Sequence, residues 1–321
     1  MRIGVDIEGG DASPETLWKG VVAACEILPH NVELLVFASQ SFCSSQSTVP
    51  HIQLVPCKDV ITMSDEPLYA IRSKKDATMT RALRLHQEGG LEAIVSCGNT
   101  GALFAGSYLF LSDPRVSLRP ALLANIPTSF GQVTLLDVGG TIECSEEQLF
   151  QFAILGAAYC KAVKGTPKPK IGLLNIGREE SKGAALHRNV YERLSLASSE
   201  DYDFIGNIEG RDLFHSDIDA VVCDGFSGNV LLKTAEGLGL FLIDHISQNL
   251  QDQISPGKLN ELQRLFDYIE HPGGYICGIR GNVVKCHGAA TSTALANSIL
   301  YAAKLAQSHA AEKIITLLYP S

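Results

Sequence analysis

Short apolar runs rich in Val, Ile and Leu recur along the chain between longer segments with a helical pattern. They sit at Ile3–Ile7, Val32–Ala38, Ile52–Pro56, Ala93–Ser96, Val133–Val138, Ile171–Ile176, Phe204–Ile208, Ala220–Cys223 and Val283–Cys286. Runs of this length and composition predict buried strands. Between them, Glu15–Leu28, Thr78–Gln87, Glu146–Val163 and Thr291–Gln307 carry apolar residues at helical spacing. The alternation predicts an α/β fold, a mostly parallel sheet flanked by helices. Residues 1–321 read as one domain of two lobes around a central cleft, and Gly165–Pro169 is the best lobe-connecting turn. Leu231–Ile269 reads differently, as a protruding helical hairpin over about residues 231–270. Leu238, Leu242, Ile246, Leu250 and Ile254 form one stripe, Ser255-Pro256-Gly257 breaks it, and Leu259, Leu262, Phe266 and Ile269 continue on a second arm.

Composition narrows the function classes. With 45% hydrophobic and 19% charged residues, 321 residues can build a substantial core and leave no lengthy disordered tract. A net charge of −9 argues against a nucleic-acid binder. The nine cysteines are scattered without a C-x-x-C pair, so reduced thiols are expected, and neither zinc nor any other metal. No signal peptide is visible, and the best apolar run, Leu238–Ile243, is about a third of the ~20 residues a membrane span needs. The expected location is cytoplasmic, or peripheral at the inner face of the cell membrane.

The chemistry concentrates where strands end. Six small polar or glycine-rich turns follow predicted strands: Asp6–Asp11, Ser96–Gly101, Asp137–Gly140, Asn175–Gly177, Asp224–Asn229 and Cys286–Gly288. Ligands in open α/β sheets bind outside the carboxyl ends of strands, and glycine-lined helix starts favour anions. Six such turns suggest a cleft for an anionic substrate. The nucleotide-binding, serine-hydrolase and zinc-protease motifs are absent.

Two segments stand out, Ile61-Thr-Met-Ser-Asp-Glu-Pro67 with Ala70-Ile-Arg-Ser-Lys-Lys75, and Gly172-Leu-Leu-Asn-Ile-Gly177 with Glu179-Glu-Ser-Lys-Gly183. Together with Val95–Leu103, Gly206–Asp212 and Val222–Asn229, they make the chain resemble the bacterial phosphate acyltransferases, acyl-ACP:phosphate transacylases of phospholipid synthesis. The resemblance implies a fold like isopropylmalate dehydrogenase and the phosphotransacetylases, and a homodimer. It also implies transfer of a fatty acyl group from acyl carrier protein to inorganic phosphate. The acyl phosphate would feed a membrane-bound glycerol-3-phosphate acyltransferase, and a weak peripheral membrane contact at the hairpin tip is expected. That chemistry suits the residues: phosphate is the nucleophile, the leaving thiolate has a pKa near ~8.5, and no cofactor is required. The site must position phosphate and supply donors for the tetrahedral oxyanion.

By the same resemblance, Lys182, Asn99, Asn229 and His287 are the expected catalytic residues. Asp6, Gly9, Gly10, Asp11, Gly98, Thr100, Asn175, Gly177, Arg211, Asp224, Gly225, Ser227 and Gly228 are the expected substrate or phosphate contacts. Arg72, Lys74 and Lys75 form a basic cluster for docking the acidic carrier protein. Simpler roles stay open at this point: a Lys182–Glu179 pair, capping by Asn99, an Arg211–Glu209 pair, turn-orienting roles for Asp6 and Asp11, a core His287 and an inert Cys97. Departures from the family pattern at Glu8, Pro56, Gly140-Thr141, Arg178 and Ala289-Ala290-Thr291 leave room for two alternatives. One is a catalytically weakened scaffold that binds carrier protein and membrane, the other a short-chain enzyme using acyl-CoA.

Overall fold

The computed structural model describes residues 1–114, 119–198, 201–249, 257–258 and 273–319. The chain forms two compact units, Met1–Pro120 with His271–Ser321, and Ala121–Glu270. The first holds strands β1 (Arg2–Asp6), β2 (Glu33–Ser39), β3 (Ile52–Cys57), β4 (Ala93–Ser96), β10 (Gly274–Cys277) and β11 (Asn282–Lys285). Their order is β3-β2-β1-β4-β11-β10, and every pair except β10–β11 is parallel. Helices α1 (Pro14–Ile27), α2 (Gln40–Ser45), α3 (Pro67–Ser73), α4 (Thr78–Gln87), α5 (Thr100–Leu111), α9 (Ser292–Gln307) and α10 (Ala310–Leu318) complete this unit. Ile3, Val5, Leu34, Val36, Ala93 and Val95 are fully buried, which is why these strands read as unbroken apolar runs. Ser13 caps α1 by accepting from Thr16 N at 3.2 Å, with Pro14 in the first turn. On the same helix, a Cβ at Gly20 would lie 2.4 Å from the Ser292 carbonyl oxygen, so glycine is what lets α1 lie against α9.

The second unit holds β5 (Ala121–Thr128), β6 (Gly131–Leu136), β7 (Lys170–Leu174), β8 (Asp203–Ile208) and β9 (Ala220–Val222) in the order β5-β6-β9-β7-β8. Only β5–β6 is antiparallel. Its helices are α6 (Glu146–Tyr159), α7 (Ala185–Ala197) and α8 (Gly225–Asn249). A reciprocal capping box between Ser145 and Gln148 starts α6. The helix widens to a π turn over Cys160–Lys164 and stops at Gly165, whose φ of +74° suits glycine.

Two expectations are corrected here. Gly165–Pro169 joins α6 to β7 inside the second unit, and the chain passes between units near residues 120 and 270 instead. Strands β5 and β10 were not anticipated: Ala121-Leu-Leu-Ala lacks the β-branched residues of the other apolar runs and Pro127 argues against a strand, while Gly274–Cys277 opens on glycine and is short. Both are antiparallel to the strand that follows them in sequence.

The first arm of the expected hairpin is α8. Leu250, Ile254, Ser255-Pro256, Leu259, Leu262, Phe266 and Ile269 lie outside the described residues. The buried seam of α8 is Gly225, Gly228, Leu232, Gly239 and Ile243, while Leu238 is 56% and Leu242 40% exposed. The four-residue stripe therefore runs beside the buried face rather than along it. No helix of the described residues is long and apolar enough to cross a membrane.

Candidate active site

The six polar turns sort by unit, three in each, and in each unit they follow three adjacent strands. In the first unit they follow β1, β4 and β11. Asp11 N and Ala12 N donate to the Gly288 carbonyl at 2.8 and 2.9 Å. A Cβ on Gly10 would stand 2.6 Å from the Cys97 oxygen and 2.9 Å from the Gly288 oxygen, so the three turns touch through backbone. Gly9, at φ +78°, sits so close to Ile61 that a Cβ would reach 2.0 Å from its carbonyl oxygen. This brings the Ile61–Pro67 motif into the same cluster.

Asp6 and Asn99 hold that cluster together. The Asp6 carboxylate is fully buried and accepts from Ser96 Oγ at 2.7 Å, and Ser96 Oγ in turn accepts from Gly98 N at 3.1 Å. Burial pushes the Asp6 carboxyl up to about 6, and hydrogen bonds from Ser96 and Thr78 only partly oppose this. Asp6 thus orients the turns from beneath them. Asn99 caps α5 through Ala102 N at 3.0 Å. Its amide also donates to the Thr62, Met63 and Asp65 carbonyls at 3.2–3.4 Å, a three-way clamp on the neighbouring motif. Capping, one of the open readings of Asn99, is realised, and Thr100 begins the helix it caps. Asp11 is exposed, with its carboxylate beside Gly288. His287 is exposed as well, which rules out the core reading, and its Nδ1 accepts from Ala289 N at 3.3 Å.

The second unit repeats the plan on β6, β9 and β7. Buried Asp137, which follows β6, accepts from Leu122 N at 2.9 Å, Gly140 N at 3.0 Å and Thr141 N at 2.5 Å. Burial raises its pKa against those bonds. Asp224 caps α8 through Ser227 N and Oγ, both at 2.8 Å. A Cβ on Gly225 would meet the Thr141 oxygen at 2.6 Å, and one on Gly228 the Asp137 oxygen at 1.9 Å. Asn229 donates to the Val138 carbonyl at 3.0 Å. Gly225, Gly228 and Asn229 therefore lock the helix start, which Asp224 caps, onto the Asp137–Thr141 segment.

After β7, Asn175 braces the loop that carries Lys182. It donates to the Lys182 carbonyl at 3.2 Å and to Asn207 Oδ1 at 3.1 Å, and Asn207 donates to the Glu179 carbonyl at 2.9 Å. Asn207 is buried and was missed by sequence reasoning; its place in the Gly206–Asp212 motif was the available signal. The Lys182 stem lies over Gly177, where a Cβ would stand 2.9 Å from Cγ. Its ammonium is about half exposed and 4.0 Å from Glu179, too long for a hydrogen bond. Arg211 pairs with Glu209 at 3.0 Å and is 77% exposed, so the ion pair exists without burying the guanidinium. In the docking cluster, Lys74 is already engaged by the Val60 carbonyl and Asp65, both at 2.8 Å. Arg72 and Lys75 carry the remaining charge there.

The departures from the family pattern have local partners. Glu8 accepts from Ser39 N at 2.9 Å, Pro56 lies on the edge strand β3, Arg178 pairs with Asp212 at 2.8 Å, and Thr291 caps α9. Among the described residues no group of three or more His, Cys, Asp or Glu is placed to hold a metal ion.

Residues 1–313 match the family model described as "Fatty acid synthesis protein". The phosphate acyltransferase of Caldanaerobacter subterraneus subsp. tengcongensis is 36% identical over 313 residues, 95% of this chain and 93% of that protein. The phosphate acyltransferase of Caldicellulosiruptor saccharolyticus is 37% identical over 314 residues, 93% of this chain and 92% of that protein. The chain belongs to this acyltransferase family. A branched-chain phosphotransacylase from Enterococcus faecalis V583 shares the fold with a TM-score of 0.63 at 14% identity, covering 95% of this chain and 99% of that one. EutD phosphotransacetylase from Staphylococcus aureus gives 0.59 at 14% identity, covering 95% and 94%. The acyltransferase thus has the phosphotransacetylase-like architecture expected from its strand pattern and resemblance.

Proposed function

We propose that the acyltransferase moves a fatty acyl group from acyl carrier protein to inorganic phosphate, giving acyl phosphate and free carrier protein. The observation that carries the reading is the braced Asn175–Gly183 loop, which presents the half-exposed Lys182 ammonium with its stem laid over Gly177. A phosphate oxygen attacks the thioester carbonyl, the tetrahedral oxyanion forms, and its collapse expels the carrier's thiolate. Lys182 offsets negative charge on phosphate or on the oxyanion, where a preorganised donor acts most strongly. His287, exposed at the end of β11, serves in this reading as proton donor or phosphate ligand. Asn99, Asn229, Asp6 and Asp224 act through the backbone they clamp. Gly9, Gly10, Gly98, Thr100, Gly225, Ser227 and Gly228 shape the anion-binding turns, and Asp11 and Arg211 border them. The proposed step needs the acyl thioester, phosphate and these side chains, and calls on no cofactor.

Three surfaces support the proposed partners. Exposed Leu68 and Tyr69 lie one turn before exposed Arg72 on α3, with Lys75 just beyond it, a mixed basic and apolar patch suited to an acidic carrier helix. Exposed Leu238, Phe241 and Leu242 on α8 suit a homodimer. A weak membrane contact near Lys258 would release a long-chain acyl phosphate beside a membrane glycerol-3-phosphate acyltransferase. The test is to incubate purified protein with palmitoyl-ACP and phosphate and trap acyl phosphate as the hydroxamate. Phosphate-dependent hydroxamate is expected; none from palmitoyl-ACP, with product from acetyl-CoA, would overturn the carrier-protein reading.

A further inference from the structure

Cys97 and Cys286 occupy neighbouring positions at the ends of two adjacent strands. In the β4–β11 register Ser96 faces Lys285, and Cys286 N donates to the Ser96 carbonyl at 2.9 Å, so pairing runs on to the two cysteines. Both side chains are fully buried, and residues paired across parallel strands project from the same face of the sheet, so the two thiols are neighbours. Each sits at the foot of a site turn, Cys97 before Gly98-Asn99 and Cys286 before His287-Gly288. The mechanism uses neither thiol.

The electrostatics favour reaction at Cys286. The neighbouring Cys97 thiol pulls the Cys286 thiol down, helped by Ser298 and the Lys285 ammonium, against burial. The same interaction and burial push Cys97 up. Such a pair shares one proton readily, with the anion on Cys286. The thiolate is the reactive form of cysteine.

We propose that Cys97 and Cys286 close to a disulfide when a hydroperoxide reaches them, and that this bond displaces the glycine turns of the first unit. The Cys286 thiolate attacks the peroxide, breaking O–O and releasing an alcohol or water, and becomes a sulfenic acid. Cys97 sulfur then attacks that sulfur and expels water; two thiols and one peroxide give one disulfide, one alcohol or water, and one water. A disulfide is about 2.05 Å long, well inside any non-bonded sulfur contact, so the two sulfurs must move together to form it. The surroundings leave no slack for this, because Gly10 already lies against the carbonyls of Cys97 and Gly288. The approach therefore shifts Gly98-Asn99 and His287-Gly288. Loss of activity on oxidation rests on the acyl-transfer reading; the disulfide and the displacement do not.

The experiment treats the reduced full chain with hydrogen peroxide, alkylates remaining thiols and digests with trypsin. The expected product links residues 85–115 to residues 286–304 at two hydrogens below the summed masses. Hydrogen exchange at residues 98–101 and 287–291 should rise with the linked species. Turnover should fall about 10²-fold, the scale of a 1 Å misplacement, and recover with a dithiol. Cys97→Ala and Cys286→Ala should each prevent the link. Oxidation confined to the less buried Cys25, Cys43 and Cys144 would overturn the proposal. So would a linked species with unchanged exchange in both turns. A reduced enzyme without phosphate acyl transfer would reject the proposed function and leave the linked peptide and exchange to decide this proposal.

Discussion

Replacing Asp6 with Asn should change how stability depends on pH more than it changes the fold. Asp6 is fully buried beneath the turns of the first unit, and its carboxyl is raised from 3.8 to about 6. The folded chain therefore holds a proton between about pH 4 and 6 that the unfolded chain has lost. Stability from this group is complete below about pH 4 and is lost as pH rises through 6. A displacement of that size corresponds to about 3 kcal/mol at pH 7. Asn keeps the shape and an oxygen for Ser96 but does not titrate. The unfolding free energy of the parent minus that of Asp6→Asn should thus fall by roughly 2 kcal/mol from pH 4 to pH 7, the remainder being lost below pH 4. Urea unfolding of both proteins at matched pH measures this difference, and other titrating groups largely cancel in it. A direct carboxyl ¹³C titration should show a midpoint near 6. Parallel stability curves, or a midpoint below 4, would refute the argument that burial outweighs the Ser96 and Thr78 hydrogen bonds.

Lys182→Ala should lower turnover by about 10²–10³ with little change in unfolding, since among the described residues its ammonium has only the 4.0 Å pair with Glu179. Gly177→Ala should give a smaller loss by pushing the lysine stem aside; a normal rate in folded Lys182→Ala would reject the charge role. Arg72→Glu with Lys75→Glu should raise the KM for acyl-ACP and flatten its salt dependence, and an unchanged KM places docking elsewhere. Leu238→Asp with Leu242→Asp should give monomers by light scattering, and a surviving dimer would remove α8 from the interface.

The strands other than β5 and β10, the polar turns at strand ends and the family membership were legible in the sequence. Strands buried on both faces write an unbroken apolar run, and the glycines and caps of the turns are local features. Ser145 and Gln148 announce a capping box three residues apart, and Pro14 announces the first turn of α1. Other features depend on partners far away in sequence. That β1, β4 and β11 are neighbours, and β6, β9 and β7, is a matter of sheet order, which strand composition does not encode. Strands β5 and β10 gain their stability from hairpin partners, so their own residues carry little signal. By residue type, Asp6 and Asn99 in glycine turns can serve substrate, backbone or both. Only the folded chain supplies their protein partners, by placing Ser96 Oγ 2.7 Å from Asp6 and three carbonyls around the Asn99 amide. Lys74 and Lys75 are adjacent in sequence, yet Asp65 occupies only Lys74. Long-range hydrogen bonds, not residue type, assign these polar groups, and such bonds form only when distant segments are packed together.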